Sequence, residues 1–267
     1  MGAPGNTHPK TGLHMSCFSA GLAGNPLTRD LTDKLGMPVR VENDANCFAL
    51  AEAMAGAGRG SDVVIGVTLG TSVGGGTAIN GSVLKGRHNS AMEFGHTELP
   101  YRKVEMDEEP GVTCKCGKPN CLREWISGNG FAARFKETDG RALTSHEIIQ
   151  GSRNGDKKCI QAVANLKDRL ARALANLINF KDPDMIVLGG GLATNPELFE
   201  GLDELIRPYC YSSMIKNEGL QTRILPAELG DSAGKYGAAW LFKANEYLPD
   251  LKSDTSYVTR PGRRPTM

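Results

Sequence analysis

The sequence predicts an α/β fold, because apolar strands twice run directly into glycine-rich turns and a long amphipathic helix lies between them. The first strand, residues 63–69, enters the turn 70–76, and the second, residues 185–188, enters Gly189-Gly-Gly191. Between them, leucine and valine recur on one face of residues 160–180, until Asp182-Pro183 ends the helix. Strands alternating with helices are typical of a sheet covered by helices.

Composition limits the class of protein. The 267 residues carry a net charge of +1 and are 40% hydrophobic, which suits one large or two small globular domains. Without a long basic run we expect no nucleic-acid partner, and without a long apolar stretch we expect no membrane partner. The seven cysteines follow no disulfide framework, so we expect a reducing, cytoplasmic location.

The first readable unit is a short strand within residues 37–46, followed by an alanine-rich helix over 47–56. Asn43 and Asp44 lie where the strand meets the helix, and Asn46 follows closely. The carboxyl ends of strands carry ligand sites in open α/β sheets, so these side chains are candidates for chemistry. Asn and Asp are also favoured helix N-caps, which is the structural alternative.

The second unit reads as strand 63–69, glycine loop 70–76, strand 77–79, an Asn80-Gly81 turn and strand 82–84. Glycines allow a phosphate to approach the backbone closely, and hydroxyl groups can donate to its oxygens. The candidate phosphate-binding residues are Gly70, Thr71, Ser72 and Gly74. A purely structural glycine turn is the alternative, and the loop lacks the Gly-Lys-Ser/Thr ending of a Walker loop.

A cysteine motif, Cys114-Lys-Cys116-Gly-Lys-Pro-Asn-Cys121, follows the segment Glu93-Phe-Gly-His96. Zinc prefers thiolate and imidazole ligands in tetrahedral sets, so Cys114, Cys116, Cys121 and His96 are predicted to bind a structural zinc ion. Gly117 and Pro119 supply the turn that returns the chain to Cys121. Ordinary reduced thiols on a loop are the alternative.

In the third unit, the strand 185–188 and its glycine turn lead to a helix that opens at Asn195-Pro196, then to a strand over 222–226 and a helix over 236–243. Residues 61–244 therefore follow the order of one ribonuclease-H-like half of an actin-like ATPase fold, complete and carrying a zinc-knuckle insertion. Residues 1–56 match only the end of a preceding half, so we expect that half to be incomplete and the chain to be truncated at its front. The predicted organisation is a small-lobe remnant over 1–56, a large domain over 57–244 and a disordered tail over 245–267.

Five motifs in this order resemble the ROK family of bacterial sugar kinases and sugar-responsive repressors. They are Asn43-Asp-Ala-Asn46, Gly70-Thr-Ser-Val-Gly-Gly-Gly76, Glu93-Phe-Gly-His96, the cysteine motif and Ile186-Val-Leu-Gly-Gly-Gly191. Within the family, residues 140–149 and 230–240 look most like the bacterial fructokinase (mannofructokinase) branch, with the N-acetylglucosamine kinase branch close behind.

The resemblance implies ATP-dependent phosphorylation of a hexose, with fructose or mannose as the expected sugar, N-acetylglucosamine or glucose as alternatives, and Mg²⁺ accompanying ATP. It implies that Asp44 is the general base, that Asn43 positions the sugar, and that Glu93 and His96 bind sugar hydroxyls while zinc holds the loop of these two residues rigid. It further implies that Gly70, Thr71, Ser72 and Gly74 hold phosphate oxygens and that Gly189, Gly190 and Gly191 flank the adenosine. By analogy we expect a homodimer.

The sequence also departs from the family pattern. Arg123 stands where the family has a sugar-binding glutamate, and Glu124, one residue later, could replace it only if the loop shifted. Phe18 stands where an asparagine usually faces the sugar, and the family's Asp-x-Gly-Gly-Thr phosphate loop is absent from the sequence. These departures lead us to expect weak or no activity of this chain, and they leave a non-catalytic sugar-binding relative as an alternative of another class. A repressor is the weakest alternative, since no helix-turn-helix is encoded here.

Overall fold

The computed structural model describes residues 1–16, 19–106, 108, 111–211 and 213–242, and its first part consists of short strands and two helices. In chain order these are β1 (Gly2–Ala3), β2 (Asn6–Thr7), β3 (His14–Met15), α1 (Leu27–Leu35), β4 (Glu42–Asn43) and α2 (Asp44–Ala55). Strand β1 pairs in parallel with β4, and β2 pairs antiparallel with β3. The predicted strand within 37–46 is thus only two residues long.

Helix α2 begins three residues earlier than predicted, because Asn43 caps it. The Asn43 side chain accepts hydrogen bonds from the backbone N–H groups of Ala45 and Asn46, which satisfies two donors that a helix start leaves unpaired. The capping interpretation of Asn43 is therefore confirmed, and Asp44 becomes the first residue of the helix.

A five-stranded mixed sheet organises the rest of the described chain. Its strands are β5 (Val63–Leu69), β6 (Val73–Ile79), β7 (Ser82–Val83), β8 (Met185–Gly189) and β9 (Arg223–Pro226), in the spatial order β7-β6-β5-β8-β9. Neighbours among β5, β6 and β7 are antiparallel, whereas β8 is parallel to both β5 and β9. This sheet and its covering helices confirm the α/β class; the division into an incomplete and a complete half stays a prediction.

The predicted glycine loop 70–76 is shorter in the structure, since Gly74, Gly75 and Gly76 belong to strand β6. A Cβ atom at Gly76 would lie 2.3 Å from the carbonyl oxygen of Ala45, and one at Gly75 would lie 2.8 Å from that of Met92. The glycines therefore allow helix α2 and the Met92 segment to press against the strand from either side. The turn itself comprises residues 70–72.

Seven helices follow the hairpins in the described residues. They are α3 (Arg123–Ile126), α4 (Gly128–Asp139), α5 (Ser145–Arg153), α6 (Lys157–Lys181), α7 (Leu202–Ile206), α8 (Ser213–Glu218) and α9 (Ala233–Ala239). Helix α6 begins three residues before the predicted start, because the Asp156 side chain accepts hydrogen bonds from the N–H groups of Lys158 and Cys159. Asn195-Pro196 opens only a 3₁₀ turn, Pro196–Leu198, before α7.

Helix α9 begins three residues before its predicted start and ends at Ala239, so the predicted continuation through residues 240–242 is wrong. Residue 243 and the tail 245–267 lie outside the described residues. None of the described helices has both the length and the apolar character needed to cross a bilayer.

The sheet is buried on both faces. Ile65, Val67 and Leu69 pack with the leucines of α6 in the larger core cluster, while Val64 packs with Phe48 of α2 in the smaller one. Alternate side chains of a strand point to opposite faces, so one strand contributes to both clusters. Helices α6 and α2 thus cover opposite faces, and the carboxyl ends of β5 and β8 remain at one edge.

Candidate functional site

Asp44 stands at the exposed start of helix α2, where its carboxylate can reach a ligand. Its Oδ1 accepts a hydrogen bond from the backbone N–H of Ala45 at 2.9 Å. Asn43, beside it, caps the helix with its side-chain oxygen and donates its Nδ2–H to the carbonyl oxygen of Gly5 at 3.2 Å. One side chain thus fixes the helix start and links it to the segment before β2.

The two glycine turns that the sequence singled out meet at the carboxyl ends of β5 and β8. Thr68 and Gly189 are register partners, and a Cβ atom at Gly190 would lie 2.7 Å from the backbone of Leu69, so only glycine allows this approach. Gly190 also has φ +84°, a backbone conformation that glycine adopts without strain. The 70–72 turn and the turn at Gly190 and Gly191 are therefore neighbours, whereas Gly189, which was predicted to belong to the turn, is the last residue of strand β8.

Within the first turn, the N–H of Gly70 donates to the carbonyl oxygen of Ser72, and Thr71 and Ser72 are exposed. The N–H of Gly128, at the start of α4, donates to the carbonyl oxygen of Gly70 at 2.7 Å. Gly74 lies inside β6 and its N–H donates to the Thr68 hydroxyl at 3.1 Å. The exposed donors are thus the hydroxyls of Thr71 and Ser72.

A 3₁₀ turn, Phe94–His96, packs against strand β6. Glu93 directly precedes this turn, and His96 is its last residue. A Cβ atom at Gly95 would lie 2.1 Å from the carbonyl oxygen of Val73, so the turn backbone sits directly on the strand. Glu93 is exposed, and its Oε1 accepts a hydrogen bond from Asn6 Nδ2 at 2.5 Å. Because Asn43 contacts Gly5 and Glu93 contacts Asn6, adjacent residues bring the two predicted sugar-binding side chains together.

His96 lies beside the three cysteines, so the four predicted zinc ligands form one cluster. Their ligand atoms all lie within 4.8 Å of one another, with Cys116 Sγ 3.6 Å from Cys121 Sγ and Cys114 Sγ 3.7 Å from His96 Nδ1. Two thiolates each about 2.3 Å from a tetrahedral zinc ion would lie about 3.8 Å apart. The donor set and its spacing therefore fit zinc.

Burial influences the protonation of these ligands. It lowers the pKa of His96, which favours the neutral imidazole that binds metal, and it raises the pKa of the Cys121 thiol to about 12. Burial raises the pKa of Cys114 as well, whereas at Cys116 burial is outweighed by the Lys118 N–H and the neighbouring thiols, so that pKa falls. A metal ion entering the cluster would have to displace thiol protons.

A buried asparagine that the sequence analysis did not identify holds the cysteine loop together. Asn120 has φ +56° and its Oδ1 accepts a hydrogen bond from the N–H of Val112 at 3.0 Å. Its backbone N–H donates to Val112, and its carbonyl oxygen accepts from the N–H of Leu99. Asn before the last cysteine was the available signal, because Asn tolerates positive φ better than most residues.

Comparison with known proteins agrees with this geometry. The model of the ROK family matches residues 1–245. The chain belongs to the ROK family. An N-acetyl-D-glucosamine kinase of Pectobacterium carotovorum subsp. carotovorum (strain PC1) is 39% identical over 246 residues, which cover 90% of this chain and 78% of the relative.

Two solved ROK structures have the same fold. A ROK hexokinase from Thermus thermophilus has a TM-score of 0.76 at 30% identity, covering 90% of this chain and 76% of that one. A ROK family glucokinase from Streptomyces griseus, in complex with glucose and AMPPNP, has a TM-score of 0.72 at 28% identity, covering 89% of this chain and 78% of that one.

Arg123 and Glu124, the departure from the ROK pattern, contact each other. Arg123 Nε lies 3.2 Å from Glu124 Oε1, and Glu124 adds to the effect of burial in raising the pKa of the Cys114 thiol. Both charges act on His96, Arg123 lowering its pKa and Glu124 raising it, after the larger effect of burial. Glu124 thus pairs with Arg123, and Phe18, another departure, lies outside the described residues.

Proposed function

We propose that this ROK protein transfers the γ-phosphoryl group of ATP to a hydroxyl group of a hexose, with N-acetylglucosamine as the favoured acceptor. By lineage it is an ATP-dependent sugar kinase. The 39% identical relative is named an N-acetyl-D-glucosamine kinase, which supports the second sugar predicted from the sequence over fructose or mannose. The Streptomyces glucokinase, crystallised with glucose and AMPPNP, supports a neutral hexose and a nucleotide as ligands of this family.

The observation that carries the proposal is the convergence of Asn43 and Glu93 on the adjacent residues Gly5 and Asn6. Asp44, beside Asn43, is then close to a sugar held by Glu93 and His96. In the proposed step the sugar hydroxyl oxygen bonds to the γ-phosphorus, the bond to the β–γ bridging oxygen breaks, and ADP leaves. The hydroxyl proton passes to the Asp44 carboxylate.

The glycine turns are proposed to bind the nucleotide. The hydroxyls of Thr71 and Ser72 would donate to phosphate oxygens, Gly70, whose N–H is bonded to Ser72, would shape the turn that carries them, and Gly189, Gly190 and Gly191 would flank the adenosine. Gly74, whose N–H is already bonded to Thr68, would keep the strand close to α2. Mg²⁺ would accompany ATP and would offset the charge of its phosphates.

Zinc is proposed to be structural. His96, Cys114, Cys116 and Cys121 supply four ligands, so no open position remains for a substrate. His96 links the ion to the turn that carries Glu93, and in this way zinc would fix the position of a sugar-binding side chain.

A homodimer in a reducing cytoplasm remains part of the proposal. The compartment is supported by the free cysteines of the described chain, most of which are buried. Size-exclusion chromatography with light scattering would test the dimer.

Phosphotransfer from Mg-ATP tests the proposed function. We expect weak turnover, because the sequence departs from the ROK pattern, and we expect it to be higher with N-acetylglucosamine than with fructose, mannose or glucose. Asp44→Asn should lower kcat about 10²–10⁴-fold, since a positioned base contributes about that much. Calorimetry should show that this variant still binds the sugar. Turnover that survives the substitution would exclude Asp44 as the base.

A non-catalytic sugar-binding protein is the second candidate, favoured by the Arg123–Glu124 pair beside His96. The same samples separate the two: sugar binding without turnover in the unmodified protein would support the second candidate and overturn the first.

A further inference from the structure

Three side-chain hydrogen bonds hold the segment of residues 5–7 against the proposed sugar site. Asn43 donates to the carbonyl oxygen of Gly5 at 3.2 Å, and Asn89 donates to that of Thr7 at 2.8 Å. Between them, Asn6 donates its own Nδ2–H to Glu93 Oε1 at 2.5 Å. Within residues 5–7, Asn6 is the residue whose side chain forms a hydrogen bond with a proposed sugar-binding side chain, that of Glu93.

The backbone on both sides of the Asn6–Glu93 hydrogen bond is fixed. Asn6 lies in β2, which pairs with β3, and the Glu93 turn sits on β6 through the close approaches of Gly75 and Gly95. The remaining freedom of Glu93 is that of its exposed side chain, which has three rotatable bonds before the carboxylate. The Asn6 hydrogen bond removes that freedom.

The chemistry of the two groups suits this role. A carboxylate offers about four lone-pair positions, and the Asn6 amide uses one of them on Oε1. Oε2 and the second position on Oε1 remain as acceptors for hydroxyl groups. A hydrogen bond to an ionised acceptor is also stronger than a neutral one, so it can hold the rotamer.

We propose that Asn6 is a positioning residue that holds the Glu93 carboxylate in the orientation in which it accepts hydroxyl hydrogen bonds from the sugar. The proposal rests on the proposed function and adds to it a specificity-determining residue outside the recognised motifs. A preoriented acceptor favours sugars whose hydroxyls match its direction, because a mismatched sugar leaves a polar group unpaired.

Asn89 offers a matched control, because its amide bonds the same segment without contacting Glu93. Asn89 has φ +53°, so Asn89→Gly removes the amide while keeping a residue that adopts this conformation readily. If Asn6 only anchored the segment, Asn6→Ala and Asn89→Gly would act alike.

The test measures N-acetylglucosamine binding by calorimetry and steady-state kinetics with Mg-ATP. Asn6→Ala should raise the sugar Kd and KM about tenfold, the effect of losing one hydrogen bond to a charged group, while KM for ATP and kcat change by less than about twofold. Asn89→Gly should change all four by less than about twofold. Asn6→Asp, nearly the same shape, should weaken sugar binding more than Asn6→Ala, because two carboxylates would then face each other.

A double-mutant cycle supplies a readout that a structural role would not move. In the presence of Glu93→Gln, adding Asn6→Ala should change sugar affinity far less than it does in the unmodified protein, since the group that Asn6 orients has lost its charge. Additive effects in the cycle, equal effects of Asn6→Ala and Asn89→Gly, or normal sugar affinity in Asn6→Asp would each overturn the role of Asn6 and leave the proposed function standing. An unmodified protein that neither binds nor phosphorylates any hexose would overturn the proposed function, and the role of Asn6 with it.

Discussion

At the scale of single residues, Glu108 has the most demanding environment. Its carboxylate is fully buried and lies 2.6 Å from Arg172 Nη2 and 2.9 Å from Arg169 Nε. Arg172 also donates to the carbonyl oxygens of Pro100 and Tyr101, so the cluster attaches the segment before the cysteine loop to helix α6. A charge taken out of water is tolerated only with such partners.

Glu108→Gln should therefore destabilise the protein by about 3–5 kcal/mol, because it leaves the buried Arg169 without its anion and Arg172 with Asp168 as its remaining carboxylate partner. The control is Glu197→Gln, which removes the exposed partner of Arg153 and should cost at most about 1 kcal/mol. Urea unfolding followed by circular dichroism measures both. Similar losses in the two variants would mean that burial does not decide the strength of the Glu108 cluster.

The cysteine cluster gives a second prediction at this scale. The purified protein should contain one zinc ion per chain, Cys121→Ala should lose it, and a strong chelator should lower the unfolding temperature, because metal bound to the folded chain stabilises it. Cys159→Ala is the matched control, since Cys159 is equally buried but lies outside the cluster. Mass spectrometry of metal content decides the point, and zinc retained by Cys121→Ala would contradict the assignment.

At the scale of elements, the sequence predicted what local patterns determine. The run of apolar residues predicted the strand Val63–Leu69, and the recurrence of leucine and valine on one face predicted the long helix α6. The cysteine spacing predicted a metal-binding cluster, and the structure brings its four residues together. The prediction that Gly74 belongs to a loop was wrong. Glycine is needed at this position of strand β6 because Ala45, which is distant in the sequence, approaches the strand closely. Asn6 was missed for the same reason: its partner is 87 residues away.

The contact between helices α2 and α9 shows how residues distant in the sequence determine which residue type fits at a position. A Cβ atom at Gly237 would lie 1.7 Å from the carbonyl oxygen of Cys47, whereas one at Gly234, in the same helix, would have no neighbour within 4 Å. Alanine favours helices over glycine by up to about 1 kcal/mol, so propensity alone predicts that both substitutions stabilise.

Gly234→Ala should accordingly leave stability unchanged or raise it, and Gly237→Ala should lower it by about 1–3 kcal/mol, because the helices must separate. Thermal and urea unfolding of the two variants, measured side by side, provide the comparison. Equal effects would show that α9 can move away from α2 without loss.

At the scale of the whole molecule, Glu42 connects the first part of the chain to the sheet. Its buried carboxylate accepts hydrogen bonds at Oε1 from the Asn43 N–H and from Asn46 Nδ2, both at 3.0 Å, and its Oε2 lies 3.0 Å from Lys85 Nζ. Lys85 follows β7 at the edge of the five-stranded sheet. The Glu42 carboxylate therefore connects the start of helix α2, where Asp44 lies, to the segment that follows the edge strand β7.

This connection predicts that Lys85→Met lowers kcat as well as stability. Lys85 is about half exposed but Glu42 is buried, so removing the positive charge should cost about 1–3 kcal/mol in urea unfolding. The loss leaves the Glu42 carboxylate held at Oε1 alone and thereby loosens the orientation of Asp44, and a misplaced base lowers kcat much more than it raises KM. Lys34→Met, on an exposed surface of α1, is the control for loss of a positive charge. A fall in kcat of about tenfold at nearly unchanged sugar KM, absent in the control, would assign Lys85 to the alignment of the base, whereas unchanged kcat would show that Asn43 and the helix N-terminus align Asp44 without it.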